Sequence, residues 1–184
     1  MVVAWKKIKS KIAHKNPWYS VREDDVIRPD GKPGKYFVVD TIDSVVVIPV
    51  DSDGKIYCVC QTRYPAGNKK SWESPSGAIP KNKTPLFAAK MELEEEAGLK
   101  AKKWSRIGYF HTAIGFCSEK CYVFLAQDLI KTKAHPEATE DIILKKKSLN
   151  EIMKMIKSDK ITDSLLISGI YKYILKTKKG SMGF

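Results

Sequence analysis

Arginine is scarce in this chain. Arg22, Arg28, Arg63 and Arg106 are the four among 33 basic residues. Arginine is the usual reader of base edges and planar phosphate forks. The net charge of +12 is therefore a weak argument for nucleic acid, and a lysine-rich bias explains it equally well. There are no internal repeats and no RNA-binding aromatic motif, so nucleic acid is not the expected partner. Long hydrophobic runs are missing too. No apolar stretch approaches the roughly 20 residues that span a bilayer. Lysines fill the N-terminal MVVAWKKIKSKIAHKN, where a signal peptide needs apolar residues. A cytoplasmic protein without a membrane partner is expected. Cysteine is sparse at four. Cys58 and Cys60 alternate along a β-prone run, and Cys117 and Cys121 have three residues between them. Neither pair has the C-x2-C spacing of a zinc ribbon. Reduced thiols packed as small hydrophobes are the better reading. His111 and His135 have no partner pattern and read as structural or exposed.

What is present is enough for a core: 184 residues, 43% of them hydrophobic, which fits one compact domain with a small extension. Gly77 to Leu99, GAIPKNKTPLFAAKMELEEEAGL, has the clearest punctuation. Thr84 can cap a helix, Pro85 suits its first position, and Gly98 can close it in a left-handed turn. At 100° per residue, Leu86, Ala89, Leu93 and Ala97 share a narrow face, expected to be buried. Glu92, Glu95 and Glu96 share an adjoining sector, and Glu94 points away from them. Three carboxylates at i, i+3 and i+4 repel one another. A hard divalent cation removes that repulsion and keeps sites for water and phosphate. A solvated acidic stripe is the plain alternative.

Along the chain, Met1 to Asn16 reads as a short helix or a loose arm. Pro17 to Thr41 reads as a small antiparallel appendage, with a turn at Pro29 to Gly34. Ser44 to Val50 is nearly all apolar and predicts a strand buried on both faces. The turn DSDG, Asp51 to Gly54, then predicts a hairpin with Lys55 to Tyr64. Pro65 to Ser76 reads as a loop. Trp104 to Phe110, Lys120 to Leu129 and Ile142 to Lys147 read as strands. Ser148-x-x-Glu151 is a capping box opening a helix to about Lys157, and a last helix runs from about Asp163 to Lys176. The tail after it reads as mobile.

The Gly77–Leu99 stretch resembles the Nudix box, G-x5-E-x7-R-E-U-x-E-E-x-G-U, where U is bulky and aliphatic. Gly77, Glu92, Leu93, Glu95, Glu96, Gly98 and Leu99 fall in register. Lys83 replaces the first glutamate of the box and Met91 its arginine. Further likeness points to the ADP-ribose pyrophosphatase and ADP-sugar diphosphatase group. It lies in QTRYP (Gln61 to Pro65), WESPSG (Trp72 to Gly77), the segment Asn16 to Asp40, IGFCSE (Ile114 to Glu119) and ATEDI (Ala138 to Ile142).

The resemblance implies an α/β fold: a Nudix α/β/α sandwich with a mixed sheet, plus an N-terminal antiparallel β extension. It divides the chain into an arm and extension over 1–42, which the resemblance offers as a dimerisation element, a hydrolase domain over 43–176, and a tail over 177–184. It implies metal-dependent hydrolysis of the diphosphate bond of a nucleoside diphosphate sugar, with ADP-ribose giving AMP and ribose 5-phosphate as the leading case. Glu92, Glu95, Glu96 and the backbone carbonyl of Ser76 would bind Mg²⁺ or Mn²⁺. Arg63 would contact the diphosphate or terminal ribose, and Glu73 would lie at the pocket wall. Glu140 is the first candidate for general base and Glu137 the second. A homodimer and a small nucleotide-sugar substrate are the implied partners.

The two departures leave two readings open. An arginine at position 91 could hold Glu95 in a bidentate pair, which Met91 cannot. In one reading the chain is a working hydrolase in which Lys83 supplies some of the missing positive charge. In the other it is a degenerate member that binds a nucleotide-sugar, RNA or protein without cleaving it.

Overall fold

The computed structural model describes residues 2–135 and 141–177, which form two compact units. One comprises 2–43 with 111–120, the other 44–110 with 121–177.

The first unit is an antiparallel sheet in the order β1 (Lys6–Lys15), β2 (Tyr19–Ile27), β3 (Pro33–Thr41). Asn16 shapes the β1–β2 turn, its Oδ1 accepting the N–H groups of Trp18 and Tyr19 at 2.9 Å. Gly31, at φ 80°, lies in the β2–β3 turn, a conformation glycine adopts without a Cβ penalty. The N-terminal arm is thus neither helix nor loose. Lys6–Lys15 pairs in register with β2, with irregularities between Lys7 and Lys9 and between Ile12 and His14. Those two slips break the strict alternation that marks a strand in sequence. Charge links the strands. Glu23 meets Lys11 at 2.9 Å and also Lys35, which reaches Asp25 at 2.9 Å. Arg22 lies 3.4 Å from Asp24 and 3.2 Å from Asp40. Residues 111–120 add to this unit by backbone bonds: Val39 N–H donates to Phe116 C=O at 2.8 Å, and Ser118 N–H to Val39 C=O at 3.0 Å.

The second unit holds the core. Its central sheet runs β7 (Ser76–Ala78), β4 (Ser44–Pro49), β9 (Lys120–Lys131), β8 (Leu99–His111), with β4 parallel to β9 and antiparallel to β7. A second sheet runs β10 (Ile143–Lys147), β5 (Ile56–Arg63), β6 (Lys69–Glu73), all antiparallel. Three helices, α1 (Pro85–Ala97), α2 (Leu149–Lys157) and α3 (Ser164–Thr177), pack on these sheets. Every residue of β4 is buried, and its alternation sorts the layers. Val45 and Val47 join Ala88, Ala89, Leu93 and Ala97 of α1. Val46 and Ile48 join Ile152 of α2 and Leu166 and Ile170 of α3. The result is an α/β/α sandwich with a mixed sheet; the N-terminal antiparallel sheet is a unit of its own. Each fully buried Val, Leu or Ile contributes roughly 1.5–3 kcal/mol relative to exposure. Gly169 lets α3 approach β4, since a Cβ there would lie 2.8 Å from Ile48 Cδ1.

Two expectations fail here. The turn at Asp51–Gly54 does not join ladder partners. β4 and β5 belong to different sheets and share one isolated bridge, Val50 to Ile56. The stretch Pro65 to Ser76 is not a plain loop, because it contains β6, paired to β5 through Trp72–Cys60 and Glu73–Val59. Its polar run Lys69–Lys70–Ser71 carries no alternating apolar signal. Among the four cysteines Cys58, Cys60 and Cys121 are buried, and burial pushes the Cys58 thiol up to about 12. Among the described residues no helix is long and apolar enough to cross a membrane.

Candidate active site

The helix α1 is built as its sequence dictates. Thr84 Oγ1 accepts Phe87 N–H at 3.2 Å, Pro85 opens the first turn, and Gly98 at φ 59° closes it, its N–H reaching Glu94 and Leu93 C=O. Leu86 departs from expectation: it is 37% exposed, whereas Ala89, Leu93 and Ala97 are buried. Ala88 is buried as well, and Glu96 is the one charged residue of α1 that is buried, 4% exposed.

A carboxylate so deep needs partners. Glu96 Oε2 accepts the backbone N–H of Ser76 at 3.0 Å. One residue on, Gly77 has no side chain where Glu92 lies. A Cβ there would fall 2.1 Å from Glu92 Oε1 and 2.4 Å from its Cδ. The backbone of 76–77 and the carboxylates of Glu92 and Glu96 therefore meet, and position 77 must be glycine for Glu92 to lie there. Glu95 is half-buried on the same helix, and its C=O accepts His135 N–H at 3.0 Å. Glu94 points elsewhere and pairs with Lys100 at 2.9 Å. These oxygen donors are the type a hard divalent cation takes. Among the described residues no three carboxylate, imidazole or thiol groups are already gathered as a metal-holding set. Glu92 and Glu95 would have to turn toward Glu96, which the Ser76 N–H holds, for the three to share one ion. Lys83 does not stand in for the missing arginine, since its Nζ lies 4.7 Å from the Phe87 ring centroid, at the opposite end of α1 from Glu95.

Arg63 and Glu73, expected as separate contacts, bind each other. Arg63 Nε donates to Glu73 Oε1 at 2.9 Å, Nη2 adds a contact to Oε2, and Gln61 Nε2 donates to Oε2 at 3.2 Å. Glu73 is 4% exposed, and these donors meet the cost of holding its charge there. Arg63, Glu73 and Ser76 form one wall of a recess of about 430 Å³, and Thr162, Asp163 and Ser164 form another. Asp163 is a residue the sequence marked only as a helix start. Its Oδ2 accepts Leu166 N–H at 2.7 Å. Burial pushes its carboxyl above the ordinary aspartate range; the Leu166 N–H opposes this, and the charge of Glu73 reinforces it. Nothing in the local sequence separates a cap facing solvent from one lining a recess. Trp72 is half-buried beneath Lys147 Nζ, 4.0 Å from its ring centroid, and packs on the core. Trp18 is exposed. Glu140 and Glu137 lie outside the described residues. The segment before them is anchored to α1: Thr132 N–H donates to Gly98 C=O at 2.7 Å, beside the His135–Glu95 bond.

Residues 5–39 match the model of the nucleoside diphosphate sugar hydrolase N-terminal domain, and residues 40–161 match the NUDIX domain. An ADP-ribose pyrophosphatase of Bacillus subtilis is 35% identical over 143 residues, 77% of each chain. An ADP-ribose pyrophosphatase of Mycobacterium tuberculosis is 29% identical, over 89% of this chain and 80% of that one. A methanol dehydrogenase activator of Bacillus methanolicus is 30% identical over 90% of each chain. The crystal structure of an ADP compounds hydrolase superposes with a TM-score of 0.84, covering 97% of this chain and 98% of that one at 16% identity, a likeness of fold. The chain belongs to the Nudix family and is a Nudix-type pyrophosphatase, a NUDIX domain preceded by the N-terminal domain of the nucleoside diphosphate sugar hydrolases.

Proposed function

We propose that the chain hydrolyses the diphosphate bond of ADP-ribose, or of a close nucleoside diphosphate sugar, to a nucleoside monophosphate and a sugar phosphate. The observation that carries this reading is the meeting of Glu92 and Glu96 with the backbone of 76–77, at the edge of the recess lined by Ser76, Arg63 and Glu73. The name shared by the two pyrophosphatase relatives supports the choice of ADP-ribose.

Glu92, Glu95, Glu96 and the Ser76 carbonyl would hold the cation, Mg²⁺ or Mn²⁺. When bound, it supplies neutralisation of the diphosphate oxygens and a more acidic water. The chain's own part is positional. Gly77 leaves the diphosphate side of Glu92 unobstructed by a Cβ. Glu96 stays fixed by the Ser76 N–H. Arg63, braced by Glu73, meets the diphosphate at the recess edge. Water attacks one phosphorus, its bond to the bridging oxygen breaks, and the bridging oxygen leaves with the other phosphate. Glu140 first, or Glu137, takes the proton of that water.

The test is incubation with ADP-ribose and Mg²⁺, with and without chelator, and quantification of AMP. Chelator-sensitive AMP is the expected result. Glu96→Gln should lower turnover about 10²–10³-fold, the range for removing a group that stabilises developing charge, with an unchanged circular dichroism spectrum. No AMP from folded protein across a nucleotide-sugar panel would overturn the reading. Two copies of the chain are proposed to associate through β1–β3. A monomer in sedimentation at micromolar concentration would remove that part.

A further inference from the structure

The far wall of the recess has no task in the chemistry above. It is the start of α3, and its composition is selective. Asp163 is held in place by the helix it caps, through Oδ2 to Leu166 N–H and through its C=O, which accepts Ile167 N–H at 3.1 Å. Thr162 and Ser164 flank it with hydroxyls, and Ser71 of β6 adds another. Glu73, opposite, is occupied by Gln61 and Arg63.

Three ligand chemistries can be weighed against this lining. A phosphate is repelled by carboxylates, so it belongs at the Ser76 and Arg63 edge. A nucleobase favours a flat aromatic face, and among the described residues no aromatic ring lines the recess. A neutral polyol suits it: each hydroxyl can donate to a carboxylate and exchange hydrogen bonds with Ser and Thr. The volume of about 430 Å³ falls within the roughly 300–1,000 Å³ of small-molecule sites.

We propose that this recess receives the terminal sugar of the nucleoside diphosphate sugar, with the Asp163 carboxylate accepting hydrogen bonds from the sugar hydroxyls. The assignment rests on the proposed hydrolysis and adds to it the residue that selects the sugar. Asp163 contacts the substrate and moves no proton in the reaction.

The test uses the full chain and two probes, ribose 5-phosphate and AMP, titrated separately by calorimetry. Asp163→Asn keeps an oxygen to cap α3 but loses the charge. It should weaken ribose 5-phosphate binding about 10- to 100-fold, the scale of a hydrogen bond to a charged group, and leave AMP binding unchanged. In turnover, KM for ADP-ribose should rise about 10-fold with kcat nearly constant. Ala66→Trp, on the exposed turn at the mouth, should weaken ribose 5-phosphate binding without touching the α3 cap. Wild-type affinity for ribose 5-phosphate in both variants, or equal weakening of both probes, would overturn the assignment. So would a wild-type chain that binds no ribose 5-phosphate. If no nucleoside diphosphate sugar is cleaved, the ribose 5-phosphate titration still decides the recess, so failure of the hydrolysis and failure of the sugar site can be told apart.

Discussion

All six residues of β4 are buried, whereas all ten of β1 are exposed. The same backbone conformation is maintained by different forces. Around β4, Val45 to Ile48 are shielded on both faces by helices, so apolar burial pins the register. In the N-terminal unit Val26 is the one apolar side chain among the described residues that is buried. There, register comes from backbone ladders and from Lys11, Glu23, Lys35 and Asp25. Cross-strand pairs of this kind contribute roughly 0.2–1 kcal/mol each, and exposed ones often less. The candidate active site lies in the unit whose backbone is fixed by its core, which is where carboxylates must be positioned within fractions of an ångström.

The sharpest test of this contrast applies one chemical change to both units. Ile48→Ala should cost about 2–5 kcal/mol, as a cavity in a close-packed core does, measured by urea unfolding. Ile12→Ala, at 58% exposure, should cost under about 0.5 kcal/mol. A large loss at Ile12 would break the contrast and mean that something covers the N-terminal sheet in solution. Gly77→Ala is smaller in stability but local in effect. Its Cβ must displace the Glu92 carboxylate, so activity should fall about 10–100-fold, the scale for disturbing ligand orientation, while urea unfolding barely moves. Normal activity would mean that Glu92 can find its place from elsewhere.

The smallest effects concern acid, and the two units should respond with opposite sign. Hydrogen bonds from Lys35 and then Lys11 hold the Glu23 carboxyl below the usual glutamate range. Its contribution is present above the unfolded value of about 4.3 and is lost as pH falls through the lowered folded value. Asp163 is raised by burial. Keeping it ionised costs stability above its raised value, and that cost is relieved as pH falls through it. Amide protection, corrected for intrinsic exchange, should therefore fall in β1–β3 below about pH 4. Protection in α3 should rise slightly as pH falls through the raised Asp163 value. Added salt should weaken the first effect more than the second. Equal responses would remove the distinction.

The legible parts of the sequence were those set by neighbours in the chain. Thr84, Pro85 and Gly98 fixed α1, and the Ser148–Glu151 box fixed α2, because caps are local chemistry. The apolar run of β4 was legible because it is covered on both sides. What failed depends on partners far away. The turn after β4 was visible, but whether β5 continues the same sheet depends on β7 and β9 filling the places beside β4. β1 was hidden by two slips in register and by lysines that face solvent on both sides. At the site, the helix glutamates and Gly77 came from fixed spacing. The Arg63–Glu73 pair and the Asp163 wall arise from residues ten and a hundred positions apart, with no motif to announce them.

The parallel pairing of β4 with β9 also sets a schedule. Ser44 and Cys121 are partners across 77 positions of chain, and such closure is slow to repay its entropy. At roughly 5–20 residues per second, the ribosome releases β4 several seconds before β9 exists. For that interval the uncharged run Ser44–Ile48, four of its five residues β-branched, lacks its β9 neighbour, and an unpaired apolar strand edge of this kind is prone to aggregate. The burial that makes this strand the firmest part of the finished enzyme makes it the most hazardous part of the nascent one, and overproduction should strain the cell's chaperones there first.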